Sequence, residues 1–172
     1  MVQMDRGISF WKEKGIKYSN RERNSMNMLE NTSVERFLEA QNGMYECALS
    51  EIRAGEKRSH WMWYIFPQLR ALGRSETAMF FGIEGSEEAK IYLSHPILSA
   101  RLVECCEALL EHENGSVYDI FGDLDSMKLR SSMTLFAYIS EGDSVFCRVL
   151  EAFYDGNPDF LTIELLNAER IF

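Results

Sequence analysis

The chain has no long hydrophobic run: nothing in its 172 residues approaches the roughly 20 consecutive apolar positions that a membrane-spanning helix requires. The N-terminus has no extended apolar stretch either, so no secretory signal is read there. Cysteine is scarce. Cys47, Cys105, Cys106 and Cys147 contain no C-x-x-C pair, and Cys105 and Cys106, adjacent on a helix, diverge by about 100°. These spacings exclude a zinc knuckle and point to reduced, mostly buried thiols in a cytoplasmic protein. His60, His95 and His112 also lack metal-binding spacing, so no metal site and no cofactor is expected. Glycine-rich phosphate loops, the H-E-x-x-H zinc signature and the G-x-S-x-G nucleophile elbow are all missing. Positive charge is short as well. The formal net charge is −9, which weighs against nucleic acid and anionic membranes as partners.

What remains is ample core material. Hydrophobic residues make up 46% of the chain, with 11 Phe, 7 Tyr and 3 Trp among them, enough for one globular domain. Residues 1–32 differ from the rest. They are polar, lack sustained periodicity and hold six basic and four acidic residues. They read as an N-terminal tail, expected to be disordered, ahead of a domain at 33–172 that carries −11.

The domain reads as all-α, a compact unit of six to nine helices. Thr32 to Glu35 fits a capping box, and Val34, Phe37, Leu38, Tyr45, Leu49 and Ile52 recur at helical spacing up to a stop at Gly55. Ser75, Ser86 and Ser116 are candidate caps, and Pro96 suits the first position of a helix. Gly115 and Gly122 are stops; Asp143 or Ser144 and then Asn157-Pro158 open the last two helices. The apolar run at 60–66 is ambiguous between helix and buried strand; helix is favoured because no partner strand is evident.

Two segments stand out against the acidic background. In Lys57 to Gln68, Ser59 is a candidate helix cap. A helix starting there would set unpaired backbone N–H groups beside Lys57, Arg58 and His60, an arrangement that attracts anions. Trp61 and Trp63 offer ring surfaces, Gln68 a planar amide, and His60 is the candidate acid–base group near neutral pH. The competing reading makes the cations solvated and the aromatics core. In Asp125 to Phe136, Lys128, Ser131 and Ser132 share one helix face, with Arg130 and Thr134 on another. Here a hydroxyl-lined polar pocket competes with hydroxyls bonded back to the helix at a tight helix–helix contact. Lys128 and Arg130 lie about 200° apart on a helix, so one is expected in the site and Arg130 in an ion pair with a carboxylate.

From Val34 to Phe153 the chain resembles the bacterial domain of unknown function 1810, whose members are often mislabelled calpastatin. The resemblance rests on RFLEAQ (36–41), KRSHWMWYIFPQ (57–68), GRSETA (73–78), YLSHPIL (92–98) and KLRSSMTLF (128–136). It implies an all-helical fold with helices packed somewhat like armadillo pairs, and no activity. The calpastatin label does not fit, because calpastatin is an extended inhibitor whereas this chain is rich in core residues. Together these readings give a small anionic ligand, a nucleotide or sugar phosphate, held between 57–68 and 128–134. The alternative is a helical protein-interaction module without enzymatic activity.

Overall fold

The computed structural model describes residues 33–170; the tail at 1–32 and the Thr32 end of the capping box lie outside the described residues. Nine α-helices and one 3-10 turn account for most of it, and no strand occurs among the described residues. The helices are α1 (33–41), α2 (Tyr45–Ala54), α3 (Met62–Ile65), α4 (Glu76–Phe80), α5 (Ser86–Ser94), α6 (Pro96–Leu110), α7 (Val117–Ile139), α8 (Val145–Tyr154) and α9 (Phe160–Glu169).

Local chemistry sets many of these boundaries. Gly55 ends α2 in the left-handed conformation at φ 72°, which costs glycine nothing. Ser75, Ser116 and Ser144 cap α4, α7 and α8 with their hydroxyls. Pro96 opens α6, and His95 Nδ1 accepts the Leu98 N–H. Ser86 is the first residue of α5 rather than its cap; its N–H donates to Glu169, a carboxylate brought in from α9. The last helix starts at Phe160 behind Asp159, two residues later than Asn157-Pro158 suggests.

Helix α7 occupies the middle, packing on α5, α8 and α9, while α6 packs on α2, α5 and α8. One continuous core runs through these contacts. A ladder of rings crosses it: Phe37 to Tyr92 (5.1 Å), Tyr92 to Phe136 (5.4 Å) and Phe136 to Phe146 (5.5 Å). A second group, Trp61, Phe66 and Phe121, closes the end near α3. Each fully buried ring contributes roughly 1.5–3 kcal/mol of hydrophobic free energy, and edge-on pairs such as Phe37–Tyr92 and Trp61–Phe121 add edge-to-face attraction.

Helix α7 is not continuous. At Gly122, φ is 74° and ψ is 174°, so the backbone breaks and restarts as a helix over 123–139. Ser126 bridges the break, its hydroxyl donating to the carbonyls of Gly122 (2.6 Å) and Val117 (3.3 Å). The restart leaves Asp125 in a fresh first turn, where the helix dipole favours a carboxylate.

Candidate functional site

The loop between α2 and α3 is organised by Glu51. Its carboxylate accepts hydrogen bonds from Arg58 N (2.8 Å), Ser59 N (3.0 Å), Ser59 Oγ (2.5 Å) and Trp61 Nε1 (2.8 Å). Partial burial works against the charged form. The donors from Ser59, Arg58 and Trp61 outweigh it and hold the carboxyl at about 2. The backbone donors expected to meet an external anion are therefore taken by the protein's own Glu51. Ser59 caps no helix: α3 is a single turn whose N-cap position is Trp61, and no side-chain cap bond forms there.

With the loop fixed, Lys57 is delivered to α7. Its backbone N–H donates to Ile120 O (2.9 Å), covering the end of the first half of that helix. Its ammonium lies 2.8 Å from Asp125 Oδ2, donates to Ser59 O at 2.7 Å, and sits 5.0 Å from the Trp61 ring. Lys128 reaches the other oxygen of the same carboxylate, 3.0 Å from Asp125 Oδ1, with its ammonium 5.1 Å from the half-buried Trp63 ring. The three side chains are 10% (Lys57), 18% (Asp125) and 29% (Lys128) exposed. Burial opposes ionisation of Asp125, but the two ammonium groups overcome it and lower its pKa. Residues 57–63 and 125–128 thus meet at two lysines, one aspartate and one half-buried tryptophan.

The other expected site residues do not join this group. Trp61 is fully buried, in tilted contact with Phe66 and T-shaped contact with Phe121, so it belongs to the core and offers no stacking surface. Arg58 pairs with Glu56 in solvent at 2.7 Å. His60 is exposed, and its carbonyl accepts a long bond from Tyr64 OH (3.4 Å). Gln68 is half-buried and its carbonyl pairs with Ile83 N.

Arg130 does not make the expected ion pair. No carboxylate pairs with it among the described residues; its Nε donates to Asn157 O (2.9 Å) and its guanidinium lies 5.7 Å from the Tyr154 ring. It serves instead to tie α7 to the turn before α9. The hydroxyls follow the helix-contact reading. Ser131 donates to Met127 O and to Asp159 Oδ2 (2.9 Å), and Thr134 Oγ1 receives the Asp159 N–H (2.8 Å). Both fasten the start of α9. Ser132 is fully buried, and its hydroxyl finds no partner among the described residues.

Sequence reasoning missed Glu51 and did not place Asp125 among the ligand-binding residues. A signal for Glu51 existed: a glutamate in the last turn of a helix opposes the dipole and calls for a compensating contact. A separate groove of about 400 Å3 lies between α1 and α6, lined by Glu35, Leu38, Glu39, Asn42, Ile97 and Arg101. It shares no residue with the lysine pair. No cluster of His, Cys, Asp and Glu able to hold a metal occurs among the described residues, and no described helix is long and apolar enough to cross a membrane.

These features define an all-helical protein with a lysine–aspartate–lysine group where the loop after α2 meets the central helix. The family described as "Protein of unknown function (DUF1810)" matches residues 31–166, and the chain belongs to that family. Its structure is similar to the crystal structure of the conserved hypothetical protein Rv1873 from Mycobacterium tuberculosis. The two are 44% identical with a TM-score of 0.76, over 78% of this chain and 96% of that one. No curated protein matches.

Proposed function

We propose that the protein binds a small anionic ligand, of the nucleotide or sugar-phosphate kind, at Lys57, Lys128 and Trp63. One observation carries the reading: two ammonium groups share a single carboxylate. A structural ion pair needs one cation per carboxylate. Here a second cation is held partly out of water, in a domain whose total charge is −11. Donor bookkeeping points the same way. Of three N–H donors on each ammonium, Lys57 uses two and Lys128 uses one. Three donors are left for an incoming oxyanion, and Trp63 stands beside them for a ring. His60 contacts neither lysine, so catalysis is not part of the proposal. Four unpaired thiols support a cytoplasmic setting.

The test is a thermal-shift screen against nucleotides, dinucleotides and sugar phosphates. A ligand at 100 times its Kd stabilises the fold by about 2.7 kcal/mol, and Lys128→Ala, which weakens binding roughly tenfold, should cut that gain to about 1.4 kcal/mol. A blank panel, or a hit indifferent to Lys128→Ala, overturns the reading. The alternative, a protein-interaction module, is favoured by the exposure of Leu124 (74%) and Met127 (65%), one turn apart on α7. A blank ligand panel would shift the weight there.

A further inference from the structure

The charge held at the lysine pair narrows the ligand, provided the proposed anion-binding reading stands. Asp125 is not a loose counter-ion that a ligand can displace. It sits in the first turn after the Gly122 break, where the helix dipole holds a negative charge, and each of its two oxygens is engaged by a different ammonium. The side chain is 18% exposed. Swinging it away would break two charge-assisted bonds at once.

With Asp125 in place the group carries a single net positive charge. A ligand group bearing one negative charge brings it to neutrality and can take the three remaining N–H donors. A group bearing two leaves a net negative charge in a partly desolvated position, which is costly. We infer that Asp125 sets the charge selectivity of this site, so that it takes singly charged oxyanions, such as a phosphodiester next to a ring, in preference to doubly charged phosphate monoesters. Within the proposed ligand range this favours cyclic or diester nucleotides over sugar phosphates.

Cyclic AMP and AMP make a matched pair of probes: same base, same sugar, same phosphorus, one charge apart. At about pH 8 AMP is a dianion, because the second phosphate ionisation lies near 6. Titration calorimetry at constant ionic strength should show the wild-type protein binding cyclic AMP roughly tenfold more tightly than AMP. Asp125→Asn raises the net charge to two and should erase or reverse that preference. If Asp125→Asn fails to fold, the double variant Asp125→Asn/Lys128→Gln restores one positive charge; it should bind both more weakly but keep the wild-type order. AMP binding the wild type as tightly as cyclic AMP, or an unchanged ratio in Asp125→Asn, or a reversed ratio in the double variant, overturns the inference and leaves the anion site standing. Failure of both nucleotides to bind also overturns the inference, which names a phosphodiester next to a ring, whereas adenosine binding as well as either nucleotide overturns the anion site itself.

Discussion

Replacing Glu51 by glutamine tests how the candidate site is built. The wild-type carboxylate receives four donors from the loop and Trp61, and its pKa is lowered from 4.5 to about 2. A shift of that size corresponds to roughly 3 kcal/mol at 1.36 kcal/mol per pH unit, and solvent screening at a half-buried position reduces it to about 2 kcal/mol. The sign follows from linkage. The folded pKa is depressed, so the stabilisation is complete above the unfolded value near 4.5 and is lost as pH falls through about 2. The glutamine amide can accept from one side only, and its NH2 would face donors it cannot satisfy. Glu51→Gln should therefore lower unfolding free energy at neutral pH by about 2 kcal/mol.

Urea unfolding followed by tryptophan fluorescence, at neutral pH and at steps down to about pH 3, reads both effects. Wild-type stability should fall across the acid range more steeply than that of Glu51→Gln, so the two curves converge. Asp125 also has a lowered pKa and contributes to the acid limb of both proteins, so the difference between them isolates Glu51. A variant within 0.5 kcal/mol of wild type at neutral pH, or parallel acid limbs, would refute the view that Glu51 pins the loop.

Lys57 and Lys128 should separate. Lys57→Ala removes the side-chain ion pair that joins the loop to α7 and should cost about 2 kcal/mol in urea unfolding, whereas Lys128→Ala should cost under about 1 kcal/mol while weakening any anionic ligand roughly tenfold. Ser132→Ala removes a fully buried hydroxyl with no partner, so the melting point should stay level or rise, by up to about 1 kcal/mol in stability. Two glycines should contrast under alanine substitution. A Cβ at Gly82 would run into the Arg70 backbone, with Arg70 N at 2.9 Å, and should cost more than about 2 kcal/mol. At Gly122 nothing lies within 4 Å, and the backbone alone opposes the change: φ 74° with ψ 174° is a conformation essentially confined to glycine, so alanine should cost about 1–3 kcal/mol by the same unfolding assay.

The helix inventory was readable because its stops and starts are local. Gly55, Ser75, Pro96, Ser116 and Ser144 act within three or four residues of themselves, and all five sit at the boundaries their chemistry suggests. The segment at 60–66 shows where local reasoning stops. Its apolar run allows a longer helix, yet only Met62 to Ile65 turns, because Glu51 holds the N–H groups at 58 and 59 and the ring nitrogen of Trp61 before the helix can begin. The partner lies eight residues away on another helix, and periodicity carries no information about it.

The hydroxyl-rich stretch at 131–134 failed to discriminate for the same reason. Its deciding partner is Asp159, 28 residues downstream from Ser131, and only the packing of α9 on α7 brings the two together. The choice between cations has a similar origin. Helical spacing showed that Lys128 and Arg130 face different ways, but which one meets the loop depends on where α7 restarts after Gly122. The break sets the face that Asp125 and Lys128 share, and Arg130 is left to hold the turn at Asn157. Lys57 then arrives because Glu51 has fixed the loop, so a carboxylate that touches neither lysine governs whether the pair exists. An anion site read from basic residues alone overlooks this: the acidic residues, Glu51 in position and Asp125 in charge, decide which lysines are presented and how much charge they can accept.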